Sequence, residues 1–113
     1  MLSISKMLFE VLSGSDVFSQ VVEKRIFPVV AGEGVAYPFS IYTIQEEPAT
    51  YDSDEYSVSL HTYFSPNKIL EAMQFSDDAK EVIQKDFQWD GSVIDFIEKD
   101  QSIVVSIFFK TIG

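Results

Sequence analysis

The stretch Tyr56-Ser57-Val58-Ser59-Leu60-His61-Thr62-Tyr63-Phe64 decides how the chain folds. Tyr56, Val58, Leu60, Thr62 and Phe64 fall at every second position. Successive side chains of a strand point to opposite faces, so these line one side, with Ser57, Ser59, His61 and Tyr63 on the other. Ser65-Pro66 follows, a capping hydroxyl with proline in the first turn, and this pairing marks the start of a helix. On a helical wheel Ile69, Ala72, Met73, Ile83 and Phe87 then share one stripe, interrupted by Ser76 and Lys80. One long helix is expected, although Ser76-Asp77-Asp78 could cap a second, shorter one.

Upstream, Ile4, Met7, Leu8, Val11 and Leu12 have the i, i+3, i+4, i+7, i+8 spacing of an amphipathic helix, and Gly14 stands where it stops. Ser15 and Asp16 open a short second helix with Val17, Phe18, Val21 and Val22 turned inward. Arg25-Ile26-Phe27-Pro28 reads as extended, since Pro28 steers Phe27 away from helical geometry. A glycine-bearing loop, Val29 to Tyr37, leads to Pro38 and a strand through Phe39, Ile41 and Thr43, with Tyr42 and Ile44 facing the other way. Glu46 to Glu55 reads as a ten-residue acidic loop. Downstream, Ser92 to Glu98 and Ser102 to Lys110 form a hairpin around Lys99-Asp100-Gln101.

The expected fold is therefore α+β: a mostly antiparallel sheet of about four strands, with N-terminal helices and one long helix packed on one face. The 113 residues fit one domain, 1–113, and ten Phe, five Tyr and one Trp supply a core without a staple. The chain has no cysteine, which excludes disulfides and thiolate metal sites. The longest apolar run, Ile103 to Phe109, is far short of the ~20 residues that cross a bilayer, and no export signal stands out. A soluble protein is expected.

Eighteen acidic residues against eight basic ones give a net charge of −10. That balance opposes binding to nucleic-acid phosphates and to anionic lipid. Such a surface keeps the domain in solution, and it also suits a partner of opposite charge. The second face of the sheet carries a further signal. Tyr42, Ile44, Tyr63, Val104 and Phe108 are more apolar than a solvent face requires, which marks either a subunit-contact surface or packing under a loop.

Little in the sequence looks catalytic. His61 is the only histidine, and no nucleophile elbow or second metal ligand accompanies it. Ala31-Gly32-Glu33-Gly34 lacks the Lys-Ser/Thr ending of a phosphate loop, and Glu33 repels phosphate. Asp52, Asp54 and Glu55 could hold a hard cation, but lack the glycine and final acidic ligand of an EF-hand. Nothing singles out a carboxylate pair for glycoside hydrolysis, and Trp89 reads as a core-edge anchor. No catalytic residue, cofactor or metal is expected.

The order of elements, with Arg25-Ile26-Phe27-Pro28 and Tyr37-Pro38-Phe39-Ser40-Ile41-Tyr42, resembles the small tail-completion proteins of long-tailed bacteriophages, the tail-terminator or head-to-tail joining group. In that family an arginine–aliphatic–aromatic–proline step precedes a proline–aromatic–any–aliphatic–tyrosine step. Arg25 to Pro28 and Pro38 to Tyr42 match those positions, and the element order covers essentially the whole chain. The acidity of Glu46 to Glu55 and the length of the helix after Ser65 depart from the pattern. The resemblance implies a non-enzymatic virion protein, assembled in the host cytoplasm. It would form a ring of identical copies, often a hexamer, and dock on tail-tube and head-connector proteins. Under that reading Glu46, Glu47, Asp52, Asp54 and Glu55 are candidates for a lumen or docking face past which DNA slides without sticking. The rival expectation is a small inhibitor or immunity-type protein that neutralises a basic partner. A small hydrolase using carboxylates or His61 has the least support.

Overall fold

The computed structural model describes residues 2–23, 25–28, 36–48, 54–99 and 101–112, with the side chains of Pro48, Asp54 and Ile112 left aside. In chain order these form α1 (Leu2–Ser13), α2 (Asp16–Val21), β1 (Ile26–Pro28), β2 (Phe39–Pro48), β3 (Asp54–Phe64), α3 (Ile69–Asp86), β4 (Gln88–Ile97) and β5 (Ser102–Ile112). The α+β class holds, with the strands in one five-stranded sheet of order β1-β2-β3-β5-β4.

The sheet is mostly antiparallel, as expected, with one parallel pair, and it has five strands where about four were expected. Arg25 to Pro28 supplies the additional strand: Ile26, Phe27 and Pro28 pair in parallel with Ser40, Ile41 and Tyr42. Three residues carry no readable alternation, so their strand character comes from what they pair with. The amide of Ser40 donates to the Arg25 carbonyl at 2.8 Å, and Arg25 Nε donates to the Pro38 carbonyl at 2.9 Å. The remaining ladders, β2–β3, β3–β5 and β4–β5, are antiparallel.

All three helices contribute to one core on a single face of the sheet. Ile4, Leu8 and Leu12 of α1, Phe18 of α2 and Ala72, Phe75, Ala79 and Ile83 of α3 bury against Val58, Leu60, Val105, Ile107 and Phe109. Phe75 is a hub, edge-on to Phe18 at 5.2 Å and to Phe64 at 5.6 Å between ring centroids. The hydroxyls of Ser40 and Thr62, both fully buried, satisfy each other at 2.7 Å.

α3 is one continuous helix that begins after a turn at Pro66-Asn67, three residues beyond the expected start at Pro66. Its buried stripe runs through Ala72, Phe75, Ser76, Ala79 and Ile83, whereas Ile69 and Met73 are exposed. β4 follows at once, so Trp89-Asp90-Gly91 belongs to the strand. A bulge between Trp89 and Gly91 interrupts the β4–β5 register, and Gly91 has φ +133°, a conformation that L side chains rarely adopt.

Candidate docking surface

The sheet's other face has no helix over it among the described residues, and register alone fixes what lines it. Directly paired residues of adjacent strands share a face. One row therefore runs Phe39, Tyr63, Val104, Asp95 and the next Phe27, Ile41, His61, Ser106, Val93. A third runs Thr43, Ser59, Phe108, Gly91. Tyr37 stacks on Phe39 at 5.6 Å and Phe39 on Tyr63 at 5.1 Å, an aromatic ladder along one end of the face. Phe27, Phe39, Ile41, Tyr63 and Phe108 are half-buried, and Val93 is 54% exposed.

Of the residues expected to share this face, the structure brings together Tyr63, Val104 and Phe108. Val104 is buried even here, beside Tyr63 in the register. Tyr42 and Ile44 lie on the opposite, helix-covered face, across from Leu60 and Val58. Tyr42 is only 3% exposed, and its hydroxyl is 2.7 Å from Ser5 Oγ of α1. Both sides of β2 are apolar, so alternation could not choose between them. A helix-borne hydroxyl for the phenol to meet, together with the buried Ser40–Thr62 pair, orients the strand. The face therefore carries Phe27, Phe39 and Ile41 where Tyr42 and Ile44 were expected.

At the centre of the face His61 Nδ1 is 2.8 Å from Ser106 Oγ, and its ring meets Phe108 edge-on at 6.4 Å. Partial burial lowers the His61 pKa from its ordinary 6.5 and favours the neutral imidazole. Sequence reading set Ser59 and Tyr63 beside this histidine but not Ser106, which is 45 residues away along the chain. A histidine beside a serine hydroxyl is half of a nucleophilic site. Here the pair sits on β3 and β5, each with a strand on both sides. Their amides serve the ladders, leaving no evident backbone donors for an oxyanion, and no described carboxylate bonds the ring.

The acidic segment is a hairpin arm. Glu46 and Glu47 end β2, Asp54 and Glu55 begin β3, and Glu47 pairs with Glu55 in the ladder. Both ends of the expected loop, Glu46 to Glu55, are therefore strand, and Asp52 lies outside the described residues. The arm's charge is partly met within the chain: Lys110 Nζ is 3.2 Å from Glu55 and 3.9 Å from Asp90, and these carboxylates raise the lysine's pKa. Tyr56 donates weakly to Glu46 at 3.4 Å. No group of three metal-ligating side chains occurs among the described residues. No described helix is long and apolar enough to cross a membrane.

No family model matches the chain, and no curated protein matches it either.

Proposed function

We propose that this protein works by assembly, docking on other protein chains through the helix-free face of its sheet, and that it carries out no catalysis. The observation that carries this reading is the set of aromatic and aliphatic side chains Phe27, Phe39, Ile41, Val93 and Phe108 around the polar His61–Ser106 pair, on the side that no helix covers among the described residues. Surfaces of this composition in a polar surround are where proteins meet partners. The resemblance to phage tail-completion proteins gives the assembly its form: a ring of identical copies at the head–tail junction, closed by heterologous contacts. In that ring the arm bearing Glu46, Glu47 and Glu55 serves the lumen or the docking rim, where its charge repels passing DNA.

Two sets of substitutions separate these roles. Thr43→Arg and Ile41→Glu place charge within the sheet face and are expected to stop ring assembly and leave smaller species, read as solution mass by light scattering. Reversing Glu46, Glu47 and Glu55 to Lys is expected to leave self-assembly in place while impairing docking or DNA passage. Unchanged assembly in the first set removes the sheet-face reading. Unchanged docking and infectivity in the second removes the lumen reading. A monomer that binds one basic protein one-to-one would instead favour the inhibitor.

A further inference from the structure

The exposed edge of the sheet at β4 carries a second surface, independent of the helix-free face. β1 at the opposite edge is three residues long, whereas β4 runs for ten. A long edge strand with apolar residues on both sides is a template for another strand unless something blunts it; the bulge between Trp89 and Gly91 does so at one end of β4, and Ser92 to Ile97 stays regular. Val93 projects on the open side, while Ile94 and Phe96 share the helix side with the core residues of β5.

α3 flanks this edge. Ser76 Oγ is 3.3 Å from Ser92 Oγ, and Lys80 Nζ stands 6.0 Å from the centre of the Trp89 ring. Later helix residues thus meet earlier strand residues, so α3 runs antiparallel to β4. Met73 and Ile69, one and two turns before Ser76, continue the same flank toward Ile94 and Phe96. These are large apolar side chains left in water: Ile69 is 40%, Met73 48% and Phe96 50% exposed.

We infer that β4 pairs antiparallel with β4 of a second copy of this chain about a two-fold axis, bringing the two α3 flanks together. Geometry selects this occupant. α3 contacts both β4 and β5, so it rides above the space between them. With strands about 4.8 Å apart, two-fold pairing sets the two helix axes about 9–10 Å apart. Two steps of sheet twist cross them at about −40 to −50°. Both values are those at which helices pack side against side. A strand donated by an unrelated protein would leave Ile69 and Met73 in water.

Charge also fits. An axis through Ile94 places Phe96 of each copy opposite Ser92 of the other, with Met73 above. Glu98 of each copy then comes opposite Asp90 of the other, a like charge that Lys110 already meets at 3.9 Å, and next to Trp89, where Lys80 stands. Neither Lys80 nor Glu98 is in an ion pair among the described residues, and the symmetry forms the new pair twice.

Sedimentation equilibrium of the full chain tests this, in wild type and in the Thr43→Arg background that charges the other face. The expected result is a monomer–dimer equilibrium in that background. Phe96→Asp should weaken it at least tenfold. Lys80→Glu and Glu98→Lys should each weaken it about fivefold to tenfold, two exposed ion pairs being lost at once, and the double swap should restore it. A chain that stays monomeric up to about 1 mM, the range where even weak contacts register, overturns the inference and leaves the edge to another protein's strand. A dimer indifferent to Phe96→Asp, or a double swap no better than the single changes, overturns it as well.

Discussion

Tyr42 and Ser5 join hydroxyl to hydroxyl at 2.7 Å, tying the first helix to the middle of the second strand across 37 residues of chain. This contact helps to determine which side of β2 faces the core and therefore which residues remain on the docking face. Tyr42→Phe and Ser5→Ala should each lower stability by about 1 kcal/mol, the usual net worth of one intramolecular hydrogen bond. The double variant should cost little more than either one, read from urea midpoints, because both remove the same bond.

The buried Ser40–Thr62 pair behaves differently, because each hydroxyl is the other's partner. Thr62→Val strands the Ser40 hydroxyl in the core and should cost about 1–3 kcal/mol. Replacing both, as Ser40→Ala with Thr62→Val, should recover part of that loss. Chemical denaturation of the three variants checks the order.

Phe75 holds α2, α3 and the end of β3 together through its contacts with Phe18 and Phe64. Phe75→Ala should cost about 3–5 kcal/mol, the range for emptying an aromatic site in a packed core. A loss below about 1 kcal/mol in thermal or urea unfolding would mean that the three rings do not form one packed unit.

His61 should make stability depend on pH in a defined window. Its folded pKa lies below the ordinary 6.5 because partial burial disfavours the charged ring. Its contribution is fully present above pH 6.5. It is lost as pH falls from there through the depressed folded value, because the unfolded chain takes up the proton first. The difference in unfolding free energy between wild type and His61→Gln should therefore be flat above pH 6.5. Below it, wild type should lose the additional stability. A difference that does not change with pH contradicts this.

Much of the fold could be read from the chain because its core strands alternate cleanly. Tyr56 to Phe64 showed its buried side directly, and Ile103, Val105, Ile107 and Phe109 did the same for β5. What was not legible lacked a period or depended on distant partners. β1 is too short to alternate and is defined by its pairing with Ser40 to Tyr42. Phe39 and Ile41 compete with Tyr42 and Ile44 on almost equal apolar terms, and the balance lies with Ser5 and Thr62, far away in sequence. The exposed flank of α3 was hidden for a similar reason. Ile69 and Met73 look like core until β4 ends the sheet beside them. Of the expected docking residues, Tyr63, Val104 and Phe108 share the helix-free face, and Ser106 joins His61 there through pairing alone.

The most direct measurement is the solution mass of the wild-type chain by light scattering over a range of concentration and salt, beside Ile41→Glu and Thr43→Arg. Docking through the helix-free face predicts a discrete closed oligomer, or a monomer that converts to one at high concentration. Both substitutions should reduce it to smaller species while circular dichroism stays unchanged. An oligomer whose mass ignores both substitutions, or a wild-type chain that remains monomeric throughout and binds a basic protein one-to-one, would contradict it.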